Sequence, residues 1–275
     1  MSPQKQQHKE ALVAKEGQAS GPSTAEDEPT EKTPAPVEKP QKIDIDSPEA
    51  LINRELSWLS FARRVLALAE DPEVPLLERV KFAGIMGMLY DEFAMKRMGG
   101  LKRKIEKRKR KKKQKLSPDG LSAEEELQAC REELQTQACL VSRLVTDELR
   151  PALETSGIPI FEYSDLSDKQ QKQMQRYFVE SVEPILTPLA VDVSHPFPFI
   201  SNAGINLAVL MPGDSPQRYR FVRIKVPNNR PRWVPLEANQ GFVPLEQVIA
   251  ANLDRMFGGV EPTAIYFFRV TRGAE

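Results

Sequence analysis

Through most of residues 47–157 apolar side chains recur every three or four positions, and beyond Gly157 that rhythm gives way to extended runs. This change of period constrains the fold more than any other feature. The first part can bury its stripes only as helices packed on helices, and the second needs a sheet. A helix start is expected at Ser47-Pro48-Glu49, with Pro in its first turn. Trp58, Phe61, Val65 and Leu68 mark one helical face, with Ser57 as its candidate N-cap. Asp71-Pro72 and Val74-Pro75 interrupt it. A second helix begins near Leu76, carries Phe82, Ile85, Met86, Leu89 and Phe93 on one side, and continues into the charged segment 102–115. Ser117-Pro118-Asp119-Gly120 is a turn. Ser122 and Glu125 then form a capping box for a third helix, whose stripe is Leu127, Cys130, Leu134, Val141 and Leu144.

After Gly157 a helix is expected from Ser167 and Gln170 to near Pro184. Extended segments follow at 205–211, 219–226, 232–236 and 264–271, and a helix spans about 245–257. Pro212-Gly213-Asp214 connects the first two segments. The fold class is α+β: an N-terminal antiparallel helical bundle followed by a small mixed domain with a mostly antiparallel sheet. Three parts are expected: a disordered tail at 1–46, too poor in large apolar residues to offset its ordering entropy, a helical domain at 47–157 and the mixed domain at 158–275.

Charge and composition exclude several function classes. The 39 basic and 39 acidic side chains among 275 residues balance, so the chain is not a uniformly basic nucleic-acid binder. No run approaches the roughly 18 apolar residues of a membrane span, and no signal-peptide apolar region opens the chain, so a soluble cytoplasmic protein is expected. Cys130 and Cys139 fall on opposite faces of a shared helix and cannot bridge. With only His8 and His195 beside them, a metal site is not expected.

The strongest chemical signal lies in residues 101–115, where eleven basic residues face one glutamate, Glu106. Lys102, Arg103, Lys104, Lys107, Arg108, Lys109 and Arg110 are candidate polyanion contacts; the alternative is a solvated helical face. Stacking aromatics are missing from the run, so sequence-specific nucleic-acid readout is not expected. Asp91 and Glu92 precede Lys96 and Arg97, which reads either as a metal–phosphate site or, more simply, as an ion-pair ladder one turn apart. His195-Pro196-Phe197-Pro198-Phe199 is held extended by its prolines, with both phenylalanines placed to anchor a core. His195 reads as structural rather than catalytic.

Several strings carry a family resemblance: INRELSWLSFARRVLALAEDPEVPLLERVKF (52–82), YDEF (90–93), SPDGLSAEEEL (117–127), ILTPLAVDVSHPFPFISN (185–202) and FRVTR (268–272). Together they resemble the N-terminal half of a bacterial polyphosphate kinase. Such enzymes transfer the terminal phosphate of ATP reversibly to inorganic polyphosphate through a phosphohistidine. The resemblance implies a helical N-terminal domain and part of a head domain that contributes to dimer contacts. The partners it implies are polyphosphate, ATP and a homodimer partner or the catalytic half; the cofactors are ATP and Mg²⁺.

The family's asparagine, which contacts the adenine base, aligns with Leu89, beside Asp91 and Glu92. Leucine has no amide to pair with a base edge; Tyr90 could substitute by stacking. The sequence given stops at Glu275, and the domains that supply the family's nucleophilic histidine and most of its ATP site are not in it. No catalytic residue is therefore assigned here, and inactivity alone is expected. The alternative is a non-catalytic polyanion-binding or kinase-associating module that uses the basic run.

Overall fold

The structure, a computed structural model, describes residues 44–45, 47–111, 116–191, 197–213 and 219–273. The readings placed on the tail (apart from 44–45), on 112–115 and on His195 lie outside these residues. At Ser47 a short 3₁₀ turn, Pro48–Ala50, stands where a helix start was expected.

Helix α1 spans Arg54–Glu70. Its cap is Asn53, not Ser57: the Asn53 Oδ1 accepts the backbone N–H groups of Glu55 and Leu56, at 2.9 and 3.0 Å. This satisfies two of the donors a helix start leaves open. The buried face is also one position away from the expected stripe. Leu59, Ala62, Leu66 and Ala69 are buried, whereas Phe61 and Leu68 are 48% and 42% exposed. The two alanines explain the shift, because small side chains let neighbouring helices approach closely. Large residues drew the expected stripe to the wrong side.

Helix α2 (Leu76–Glu92), a π-helical segment (Phe93–Met98) and α3 (Gly99–Lys111) form one continuous helical run. Helix α4 (Ala123–Arg143) starts at the expected capping box: Ser122 Oγ accepts Glu125 N–H at 3.2 Å, and Glu125 Oε2 accepts Ser122 N–H at 2.8 Å. It continues through a second π-helical segment (Leu144–Leu149) into α5 (Arg150–Thr155). Gly157, at φ +79°, ends it. Met86, Leu144 and Leu149 close one apolar cluster with α1, and Leu59, Phe93, Leu101, Leu127 and Cys130 close a second.

Helix α6 (Asp168–Tyr177) follows, and a π-helical segment (Phe178–Val182) extends it. The main sheet has the order β1-β3-β2-β6, with β1 at Leu189–Val191, β2 at Ile205–Pro212, β3 at Tyr219–Lys225 and β6 at Ala264–Arg269. All its neighbours are antiparallel, with Val209 opposite Val222 on one side and Ile265 on the other. A two-stranded ribbon pairs β4 (Trp233–Pro235) with β5 (Phe242–Pro244).

Leu207, Val209, Val222 and Ile224 pack on Met174, Phe178 and Val182 and on α7 (Leu245–Ala250), which makes a sheet-on-helix core. The single helix expected at 245–257 is broken. Helix α7 stops at Ala250, and α8 (Leu253–Met256) resumes after Asn252, whose side chain donates back to Val248 O at 2.8 Å. Strands β1 and β5 are three residues each and were not expected.

The phenylalanines of the 195–199 string do not anchor a core. Phe197 and Phe199 are 58% and 76% exposed. Phe197 stacks on Phe221 with centroids 5.5 Å apart, and Phe199 lies under the Arg272 guanidinium at 4.6 Å.

The two cysteines are free, Cys130 buried and Cys139 exposed. Burial first, then the neighbouring Glu126 and Glu55 carboxylates, push the Cys130 thiol up to about 12. A disulfide reagent at pH 8 should therefore titrate one thiol per native chain and a second only in denaturant. Two fast thiols in the native chain would contradict the packing of α4.

Candidate functional site

The YDEF string sits at the end of α2, where the helical part meets the last strand of the sheet. Asp91 Oδ1 accepts a charged hydrogen bond from Arg269 Nη2 on β6, across 178 positions of chain. Glu92 instead pairs along its own helix, with Lys96 Nζ at 2.6 Å, and that bond holds its carboxyl below the ordinary range. Arg97 Nη1 reaches the buried Glu55 at 3.6 Å. The ion-pair reading thus holds for Glu92, whereas Asp91 joins the two halves of the fold.

Around this contact the backbones approach closely. A Cβ built on Gly99 would stand 3.7 Å from Gly273 Cα, and one on Gly273 would meet Met95 O at 3.2 Å and Arg103 Nη1 at 3.6 Å. The head of Arg103 therefore lies beside both glycines. Asn202 accepts the Arg272 N–H at 2.9 Å. Arg269, Arg272 and Asn202 were not singled out from the sequence as site residues; the only signal was two arginines in the short FRVTR string.

Beyond the junction α3 lies against α4. Leu101 is buried, and Ile105 packs with it on Leu127, Cys130 and Leu134. The basic run is therefore one side of a docked helix, not a free extension. Lys102, Arg103, Lys104, Lys107, Lys109 and Arg110 are exposed, and among the described residues none of them has an ion-pair partner. Arg108 turns inward, and its Nη1 is buried without a hydrogen-bond partner. Six exposed cations spread around the solvent side of the helix, with Glu106 the one acid among them, make a field that attracts polyanions and weakens with salt.

Leu89 packs against the apolar cluster between the helices and offers a base edge no amide to pair with. Tyr90 packs in the same cluster and donates its hydroxyl to Gln137 Oε1 at 3.2 Å. Burial raises its phenol to about 12. Packed in this way, the ring is no open stacking platform. Asp91 and Glu92 are each committed to a cation, and among the described residues no three His, Cys, Asp or Glu side chains group to hold a metal ion. No helix among the described residues is long and apolar enough to cross a membrane.

Comparison with known proteins places this architecture. The family model described as polyphosphate kinase N-terminal domain matches residues 51–161, and that described as polyphosphate kinase middle domain matches 169–275. A polyphosphate kinase of Thermosynechococcus vestitus is 42% identical over 255 residues, covering 90% of this chain and 34% of the relative. One from Mycobacterium ulcerans is 42% identical over 267 residues, covering 92% of this chain and 36% of its own length. Among solved structures, the polyphosphate kinase of Porphyromonas gingivalis superposes with a TM-score of 0.70 at 28% identity, over 82% of this chain and 33% of that one. The chain belongs to the polyphosphate kinase family, and what it carries is the family's N-terminal and middle domains in order. It spans about a third of the length of the curated relatives it matches.

Proposed function

We propose that this chain serves as the N-terminal and middle-domain part of an enzyme that transfers the terminal phosphate of ATP to polyphosphate. The observation that carries the reading is the in-order match of both domains, joined through Asp91 and Arg269. Within it, residues 51–275 position substrate rather than perform phosphoryl transfer, a reaction that depends on cations and Mg²⁺ ordered around the transferring group. ATP and polyphosphate are the substrates of the whole enzyme, Mg²⁺ its cofactor, and a homodimer in the cytoplasm its working form.

A chimera tests this directly. Residues 51–275 would replace their counterpart in the Thermosynechococcus vestitus polyphosphate kinase, and ATP-dependent polyphosphate synthesis would be assayed. Synthesis within about tenfold of the parent is expected, a loss of no more than about 1.4 kcal/mol in transition-state stabilisation. A folded chimera with no synthesis would overturn the reading.

The exposed cations of α3 favour a second reading, in which the chain acts as a polyanion-binding module through Lys102, Arg103, Lys104, Lys107, Lys109 and Arg110 with Arg108 behind them. The two readings are compatible, because polyphosphate is itself a long polyanion and binding it would release counterions as nucleic acids do.

A further inference from the structure

A crevice of about 510 Å³ opens at one end of the main sheet, near the junction with the helical part, where Asn202 of its wall donates to Met95 Sδ; it is lined by Ser201, Asn202, Gly204, Lys225, Arg230 and Arg232 among others. No Asp or Glu is among its lining residues. Its volume falls within the range of small-molecule sites.

The three cations come from the end of β3 and the connection to β4, and each is placed differently. Lys225 has no ion-pair partner among the described residues, and its Cε lies 3.8 Å from where a Gly204 Cβ would be. A side chain at position 204 would press on Ser201 Oγ, 3.0 Å away, and only touch the lysine stem. Arg230 is held by its Nε, which donates to Ser181 O at 3.0 Å. Its anchor is a neutral carbonyl, and among the described residues no carboxylate pairs with it. Arg232 pairs with the buried Glu246 at 2.7 Å and lies 5.3 Å from the Trp233 ring centroid. Two net positive charges therefore face the crevice, beside an arginine fixed from behind.

The opposite wall is rigid. Ala203 sits at φ +55°, in the left-handed region that an alanine enters only under constraint. Its N–H donates to Val270 O at 2.8 Å, and the adjacent Asn202 side chain accepts from Arg272. A fixed wall facing two cations with no carboxylate partner among the described residues is preorganised for an anion. Planar guanidinium groups and an ammonium together suit phosphate oxygens.

We propose that this crevice binds a condensed phosphate chain, as a subsite separate from the basic helix; the proposal rests on the polyphosphate reading above. Trp233, next to Arg232, supplies the reporter. Tripolyphosphate titrated into the full chain should change the tryptophan emission saturably, and Trp233→Phe should remove that change. Lys225→Gln with Arg230→Gln should weaken tripolyphosphate binding at least tenfold, with Tm lowered only by the loss of the Ser181 bond. Lys225→Gln alone, which breaks no hydrogen bond, should weaken it at least threefold. Lys107→Gln with Lys109→Gln should leave the Trp233 signal in place.

Unchanged affinity in the Lys225 variants, or a Trp233 signal lost with the α3 variants instead, would overturn the proposal. Tighter binding of tripolyphosphate than of ATP identifies polyphosphate as the source of the chain, and the reverse identifies a nucleotide. Orthophosphate binding as tightly as either removes the assignment to a condensed chain. An inactive chimera with an intact Lys225 effect would sink the enzymatic reading and leave the crevice standing. An active chimera with no Lys225 effect would do the opposite.

Discussion

Gly241→Ala is expected to destabilise the mixed domain by several kcal/mol, lowering Tm by roughly 10 °C or more at about 2–4 °C per kcal/mol. Gly241 has φ +128°, a conformation L side chains rarely adopt. A Cβ there would stand 2.5 Å from Pro159 O, 2.8 Å from Pro159 Cγ and 2.9 Å from Phe161 Cε2. None of these can yield cheaply. Pro159 O accepts the Phe242 N–H at 2.9 Å, and Phe161 N–H donates to Phe242 O at 2.9 Å, so the clash lies inside the ladder that ties residues 159–161 to β5. Gly258→Ala is the control. Gly258 also has a positive φ, +64°, but nothing lies within 4 Å of its Cβ position, so about 1 kcal/mol is expected there. Equal losses at the two sites, read by thermal denaturation, would show that backbone strain alone sets the cost.

Neutralising the exposed cations of α3 is expected to have the largest effect on binding. In a variant with Lys102, Arg103, Lys104, Lys107, Lys109 and Arg110 all replaced by Gln, affinity for long-chain polyphosphate at low salt should fall on the order of a hundredfold or more. The slope of log affinity against log salt should flatten by about one for each phosphate contact removed. The fold should survive, because Leu101 and Ile105 provide the docking on α4 and the replaced charges have no ion-pair partners among the described residues. Tm should hold or rise, since like charges on one helix repel. A variant that keeps its affinity and salt slope would remove α3 from the polyanion surface.

How much of this was legible in the sequence varied from element to element, for physical reasons. The α4 start was readable because a capping box is a local device: Ser122 and Glu125 satisfy each other whatever the rest of the chain does. Strands β2 and β3 were readable because runs of seven or eight residues rich in β-branched and large apolar side chains are bounded by turn residues, Gly204 before β2, Pro212-Gly213 at its end and Pro227 after β3. The buried face of α1 was misjudged because close packing selected Ala62 and Ala69 over Phe61 and Leu68. β1 and β5, at three residues each, are too short to show a period and exist through their partners.

At the candidate site the charge run stood out, because charge density is a property of composition. The partners of Asp91 and the walls of the Lys225–Arg230 crevice did not, because they come from segments far apart in the chain and meet only through the fold.

The bond between Asp91 and Arg269 also bears on the order in which the chain can be built. Within the helical part the long-range side-chain links close shorter loops, such as Asn53 to Glu126 across 73 positions and Gln137 to Leu59 across 78. A chain emerging from the ribosome can complete α1 to α4 while the segments after Gly157 are still being made. Arg269 comes 178 positions after Asp91, so the contact must wait until the sheet's last strand exists. During that interval the cationic face of α3 is already assembled, while the Lys225–Arg230 crevice still lacks the Val270 and Arg272 contacts that brace its wall. Of the two cationic surfaces, the helix is ready during synthesis and the crevice only when the described chain is nearly complete.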